Sequence, residues 1–499
     1  MGGTDRRATE RGGVLNWVNY GSRMSLVGPP PPVTTNPMVR LWLDVRHERR
    51  VPDPYPPGDT NFSLARARAM VRDPLSVLLG AYERYGPVFT LRVFHERVVF
   101  VLGPEANHHV LVSNARNFLW REGHFRELLP LLGDGLLTID GDFHRRSRQI
   151  VLPAFHHERI AAAAGLIVEE VHAALARWED GARMDLYAWT RGVTLRVAMR
   201  ALFGLDPDRQ RDLDAAGEFQ QALDFYGNDY WMQVARGPGS PFSRMLRARA
   251  KLDALVFGEI ARRRRTGERG EDILSLLLDA EDEDGSRLSD RHVRDEVMTL
   301  LFAGHDTTTA TVAFMVYELA GNPEWVERVA AEGQRVLGDR PPDAPTLMGS
   351  GLPELDLVLD ETLRLYPPAW IGPRRSVEPF ELGGVRVPGD VPVEYCSWAS
   401  HRLPDVWDEP HAFRPQRFLP EARAKLPKGA YVPFGGGSRT CIGMRFGQLE
   451  IKVIASLLLR EFRIELEPGW RLRIRQTPTL GPHGGMPVRV RRVGAAVGA

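Results

Sequence analysis

The 499-residue chain is 43% hydrophobic, enough to bury a large core in one big domain or in two or three ordinary ones. Its 65 Lys+Arg against 64 Asp+Glu exclude the strong basic excess of a nucleic-acid binder and point to small or neutral partners. Two cysteines, Cys396 and Cys441, cannot build a disulfide framework at this length, which favours a reducing compartment.

The first residues, MGGTDRRATERGG, lack the apolar core of a secretory signal. No stretch reaches the roughly 18 consecutive apolar residues of a spanning helix, so the chain reads as cytoplasmic with no transmembrane anchor. Residues 1–60 carry GPPPPVTTNP and PDPYPPGD and read as a Pro-rich extension before a body at 61–499. Inside the extension, PMVRLWLDVRHERR brings Val39, Trp42 and Leu43 close to Arg46, Arg49 and Arg50. The favoured reading is a short helix packed on the body, and peripheral contact with a membrane surface is the second. Amphipathic helical runs follow at 64–86, 104–117, 141–152, 157–178, 184–204, 246–264 and 289–338. Alternating segments, PVFTLRVF, RVVFVLG, FELGGVRVP, RLRIRQTP and PVRVRRV, predict a minor sheet beside a dominant helical mass.

Three patterns carry chemistry. Within the 289–338 run stands Ala303-Gly304-His305-Asp306-Thr307-Thr308, a Thr-rich helix whose hydroxyls could simply bond carbonyls four residues back. Glu361 and Arg364, three apart, share one helix face and suit a bidentate pair. Last comes Phe434-Gly435-Gly436-Gly437-Ser438-Arg439-Thr440-Cys441-Ile442-Gly443, a glycine-rich loop that feeds a cysteine into the start of a helix. Backbone amides and the helix dipole would favour a thiolate there.

Phe434, Gly437, Arg439, Cys441 and Gly443 match F-x-x-G-x-R-x-C-x-G, and by this the chain resembles the cytochrome P450 superfamily. The resemblance implies a mainly α triangular prism with a small β-sheet-rich lobe, a haem b with iron held by Cys441, and O2 as co-substrate. Phe434, Gly435 and Gly443 would border the thiolate and Arg439 would pair with a propionate. Ala303, Gly304, Asp306 and Thr307 match A-G-x-D/E-T, implying a helix loosened at Gly304 where oxygen binds, with Asp306 and Thr307 delivering protons. Glu361, Arg364 and, in Pro415-Gln-Arg417-Phe418, Arg417 would form a buried structural lock. His144 and Arg148 fit the family's H-x-x-x-R, and Arg374 or its neighbour Arg375 a further propionate site.

The implied activity is that of a haem-thiolate monooxygenase that inserts oxygen into a C–H or C=C bond of a hydrophobic molecule such as a fatty acid, steroid or terpenoid. A peroxygenase, an isomerase or a non-catalytic haem-binding protein is the alternative. The residues after Cys441 are too few for a flavin reductase, so electrons are expected from NAD(P)H through a separate ferredoxin or flavodoxin and its reductase. That partner would dock near Arg145, Arg146, Lys425, Lys428 and Arg445. Pocket walls are expected from Phe225, Tyr226, Tyr230, Trp231, Leu301, Phe302, Ala369, Trp370, Ile371, Thr479 and Leu480, with burial in the core as the equal alternative for the aromatic residues.

Overall fold

The structure, a computed structural model, describes residues 34, 36–51, 54–205, 214–227, 230–281 and 287–494. The run expected at 64–86 forms two helices, Leu64–Arg72 and Pro74–Tyr85, and that at 289–338 forms Asp290–Gly321 and Pro323–Val336. Both breaks fall at a proline. The ring leaves no N–H to donate and drives the preceding residue out of the helical region, as the ψ of 72° at both Asp73 and Asn322 shows. Helices Gly141–Val151, His157–Leu175, Leu186–Val197 and Pro241–Thr266 lie where the periodicity puts them, to within two turns at either end.

The largest sheet has six strands in the order Gly58–Asp59, Val88–Val93, Glu96–Val101, Pro392–Cys396, Ile371–Ser376 and Phe118–Leu119. Its hairpin, Val88–Val93 with Glu96–Val101, is legible in the sequence. Its centre is not, because Pro392–Cys396 is buried at every position and shows no alternation. The expected boundary at residue 60 falls directly after a strand of this sheet. Strand Gly58–Asp59 pairs with the hairpin, Gly58 opposite Thr90, and a Cβ on Gly58 would fall 1.9 Å from the Thr90 carbonyl oxygen. Helix Pro37–Glu48 is also part of the body, since Glu48 binds Arg92 at 2.5 Å and Arg97 at 2.7 Å. Residues 1–33 lie outside the described residues.

The long helix Asp290–Gly321 is buried along most of its length and forms the axis of the helical mass. It packs against Leu186–Val197, Pro353–Leu365 and Met444–Glu461, so the residues at its middle face the helix that follows Cys441. Among the described residues, no helix is long and apolar enough to cross a membrane.

Candidate active site

Cys441 stands just before helix Met444–Glu461, whose N-cap is Gly443. Its amide donates to the Phe434 carbonyl at 2.9 Å and the Gly435 amide to the Val432 carbonyl at 3.1 Å, which folds the loop back on itself. At Gly437, φ is +62° and a Cβ would lie 2.2 Å from the Leu111 carbonyl oxygen, so only glycine lets the loop rest on that segment. Phe434 and Ile442 pack on the core from either side of the sulfur.

The Cys441 side chain is accessible, although its sulfur is set deep among protein atoms. Burial raises its thiol pKa, against the opposing pull of the Gly443 amide and the Arg148 charge. Desolvation outweighs both favourable contacts. Cys396 is fully buried and its thiol is pushed up to about 12, so it is a core residue.

Around this loop the structure gathers His144, Arg148, Arg374 and Arg439. Arg374 and Arg439 lie on the ring of Trp120, 3.6 and 4.9 Å from its centroid. Asp140 accepts from Arg439 at 2.7 Å and from the Trp120 and Arg121 amides, and it is the acid of the cluster. Arg148 donates to the Thr440 carbonyl at 2.7 Å and Arg374 to that of Pro373 at 2.9 Å; among the described residues neither has a carboxylate in ion-pair contact. The imbalance shows in the titration. Burial, then the charges of Arg374 and Arg148, lowers Arg439 to about 10, and burial with Arg439 and Arg148 lowers His144 to about 3. An excess of cations beside the accessible Cys441 residue, with Arg374 buried and Arg148 and Arg439 half-buried, fits a dianionic, metal-bearing group such as haem, whose carboxylates would answer the unpaired guanidiniums. Arg375 is held instead by Asp390, at 2.5 Å to its carboxylate and 3.0 Å to its carbonyl, so Arg374 is the arginine that faces the cluster.

On the long helix Leu301, Phe302, His305 and Asp306 are buried, whereas Ala303 is exposed and Gly304 and Thr307 are half-buried. A Cβ on Gly304 would meet nothing within 4 Å, and the next turn touches the cysteine helix, where a Cβ on Gly447 would lie 3.7 Å from Thr308 Oγ1. Ala303, Gly304 and Thr307 therefore keep accessible surface beside the helix that follows Cys441. The Thr307 hydroxyl donates to the Ala303 carbonyl at 2.7 Å, and Thr309 and Thr311 repeat that pattern at 2.8 Å, so the back-bonding alternative describes these hydroxyls at rest. Thr309 also meets the Thr194 hydroxyl at 2.8 Å, whereas Thr307 keeps its lone pairs for a further donor. Asp306 is turned into the protein, accepting from the Thr479 hydroxyl and from Arg475 at 3.3 Å. Arg475 also meets the Tyr187 hydroxyl at 3.1 Å, and both line a cavity of about 530 Å³ with Arg191, Asp224 and Phe225.

The lock forms as a fork. Arg364 donates to both Glu361 oxygens at 2.7 and 2.8 Å and to the carbonyls of His401, Pro410 and Ala412, while Arg417 stands 3.4 Å from Glu361. His401 links it to the cysteine loop. Burial holds this histidine down at about 3, so it is neutral, with Nδ1 on the Arg364 carbonyl at 3.2 Å and Nε2 accepting the Val432 amide at 2.9 Å.

The pocket expectations fare unevenly. Ala369 is exposed and Ile371 half-buried, so both can line a cavity. Leu301, Phe302, Trp370 and Leu480 are packed into the core. Trp370 is held there by its indole N–H on the Gln476 carbonyl at 2.7 Å and by the edge of Trp398, and Leu480 by its amide on the Pro368 carbonyl. Phe225 borders the cavity beside Arg475, Tyr226 is buried, and the side chains of Tyr230 and Trp231 lie outside the described residues. Trp120, Asp140, His401 and Arg475 escape a reading by motif, since each acts through a partner far away in sequence.

Residues 56–482 match the family model described as Cytochrome P450. The chain is 34% identical over 431 residues to cyclooctatin synthase of Streptomyces melanosporofaciens, covering 83% of this chain and 91% of that protein. It is also 34% identical over 422 residues to cyclooctat-9-en-7-ol 5-monooxygenase of the same organism, covering 82% and 89%. Among solved structures, retinoic acid bound cyanobacterial CYP120A1 superposes with a TM-score of 0.79 at 28% identity, covering 88% of this chain and 99% of that one.

Proposed function

The chain belongs to the cytochrome P450 family and is a haem-dependent monooxygenase, and from that premise we propose that it hydroxylates or epoxidises a polycyclic terpenoid. The relative named for cyclooctat-9-en-7-ol supports this class, as do the small apolar residues Ala303, Ala369 and Ile371 at the accessible positions. The observation that carries the site assignment is the excess of cations beside Cys441. Cys441 would hold the iron, and His144, Arg148, Arg374 and Arg439 the propionates, with Trp120 as the platform that orders two of the guanidiniums. When bound, haem supplies the activation of O2 and the transfer of one oxygen atom to the substrate, with two electrons drawn from outside the chain.

The protein's own task is to place the substrate and meter protons. Thr307 offers a hydroxyl whose proton bonds Ala303 and whose lone pairs remain for a further donor, a position from which it can order a proton donor without being consumed. Asp306 is the relay. To serve, its carboxylate must leave Thr479 and Arg475, take a proton that enters by the polar cavity next to Arg475, and pass that proton on toward Thr307. The electrons are expected from NAD(P)H through a ferredoxin or flavodoxin, which would meet the exposed cations Lys425, Lys428 and Arg445.

Reconstitution with a ferredoxin, its reductase, NAD(P)H and ¹⁸O2 over a panel of cyclic terpenoids should give a product carrying one labelled oxygen. Failure with every terpenoid but success with fatty acids would overturn the substrate class. Thr307→Ala should divert most reducing equivalents to hydrogen peroxide while NAD(P)H consumption continues, and unchanged coupling would remove Thr307 from proton delivery. Asp306→Asn should slow turnover on the order of 100-fold and enlarge the solvent deuterium isotope effect. An equal fall with no change in the isotope effect would reduce Asp306 to a structural anchor for Arg475.

A further inference from the structure

Helix Pro37–Glu48 is amphipathic, but it is mounted inside out. Surface helices normally bury the apolar stripe and expose the polar one. Here the face toward the protein carries Arg40, Asp44, His47 and Glu48 beside half-buried Leu41 and Val45, and each of the four polar residues is anchored. Arg40 pairs with Glu127, Asp44 with His95 and Arg126 at 3.2 Å, His47 with the Asp390 carbonyl at 2.7 Å, and Glu48 with Arg92 and Arg97. The opposite face presents Met38, Val39, Trp42 and Leu43, which are 42–62% exposed. It continues into Arg46, which lies 5.1 Å over the Trp42 ring, and then into exposed Arg49 and Arg50. Both acids of the helix are on the inner side, so the outer face is apolar and cationic only.

The neighbouring helix repeats the pattern. Leu64–Arg72 exposes Leu64 and Val71 together with Arg68 and Arg72 and contains no acid, and exposed Phe62 precedes it. The two helices are fastened at one point. Arg92 binds Glu48 of the first and donates to the Thr60 carbonyl, and its own carbonyl accepts from Arg66 of the second.

We propose that this corner docks on the surface of an anionic lipid bilayer, with Met38, Val39, Trp42 and Leu43 at the headgroup–acyl boundary and Arg46, Arg49 and Arg50 on lipid phosphates. The chemistry selects the occupant. Contiguous exposed apolar surface beside polar residues marks an interaction face. A second copy related by a two-fold axis would bring arginines against arginines with no acid to answer them. Tryptophan beside arginine on one apolar face suits the membrane interface, where the ring is half-immersed and the cation meets phosphate. The proposal goes beyond the monooxygenase reading and stands whatever the substrate is.

Flotation of the full-length holoprotein with vesicles tests it, using phosphatidylcholine alone and phosphatidylcholine with one third phosphatidylglycerol. The protein should float with the anionic vesicles, remain behind with the neutral ones, and be released by high salt. Trp42→Ser/Leu43→Ser should weaken the partition at least roughly tenfold. Arg46→Glu/Arg49→Glu/Arg50→Glu should weaken it on the order of 100-fold. Both variants should keep the wild-type haem content and carbon monoxide spectrum, which separates lost docking from lost folding. Absence of flotation, flotation unchanged in either variant, or a concentration-dependent dimer abolished by the same substitutions would each overturn the proposal; the last would assign the face to a second copy.

Discussion

Cys441→Ser is expected to abolish the thiolate band of the reduced carbon monoxide complex and to lower monooxygenase activity by far more than any other single change at the site. Loss of a residue that merely supports a metal ligand costs roughly 10–100-fold, so removal of the ligand itself must exceed that. The fold should survive, because the loop is held by bonds that do not use sulfur: the Cys441 amide on Phe434, Arg148 on the Thr440 carbonyl, and the His401 contact at Val432. The serine hydroxyl is a harder and far less acidic donor, and burial that already raises the thiol would oppose an alkoxide still more strongly. Cys396→Ser is the internal control. Its sulfur accepts a long bond, 3.4 Å, from the Ala399 amide in the core, and the band should be unchanged. A band that persists in Cys441→Ser, or vanishes in Cys396→Ser, would reverse the two assignments.

Legibility in the sequence followed the distance over which each device works. The cysteine loop is contiguous, and its glycines answer local demands such as the contact of Gly437 with Leu111, so a ten-residue window reveals it. The breaks at Pro74 and Pro323 are equally local, and the periodic runs miss them only because apolar spacing continues across a proline while the backbone cannot. The cation cluster is different. Trp120 serves Arg374 and Arg439 from hundreds of residues away, and nothing in the 118–140 stretch distinguishes a platform for guanidiniums from a core tryptophan. Arg475 and His401 are invisible for the same reason. Among the pocket candidates Leu301, Phe302, Trp370 and Leu480 have the right apolar character and are buried, and for the aromatic ones this is the core alternative, because a helix or turn beside a cavity offers it only one face. Helix Pro37–Glu48 is the sharpest case. Its periodicity gives the amphipathic faces correctly, yet which face is turned inward is decided by Glu127, His95, Arg126, Asp390, Arg92 and Arg97, and only the fold brings those together.

Arg364→Ala should be the most destabilising single substitution outside the cysteine loop. Glu361 and Arg364 have no exposed surface, and the guanidinium satisfies two carboxylate oxygens and three carbonyls at once. Deleting it leaves a buried carboxylate with the Arg414 amide and the more distant Arg417, and breaking a buried pair in this way costs about 3–5 kcal/mol. Against a total stability of roughly 5–15 kcal/mol, that is a large fraction. Removal of the exposed pair Arg287–Glu281 by the same truncation should cost less than about 1 kcal/mol, since water replaces the partner. Thermal unfolding of the two variants measures the contrast. Haem retention shows where the loss is felt: the freed His401 carbonyl and the disturbed His401 ring lie one hydrogen bond from Val432, so the Arg364 variant should release haem well before it loses helical signal. Arg364→Lys keeps the charge but lacks the fork, and it should fall between wild type and alanine in both measurements. If the alanine variant melts with the wild type and holds its haem as tightly, the buried fork is packing without leverage on the cysteine loop, and Cys441 is positioned by its own loop alone.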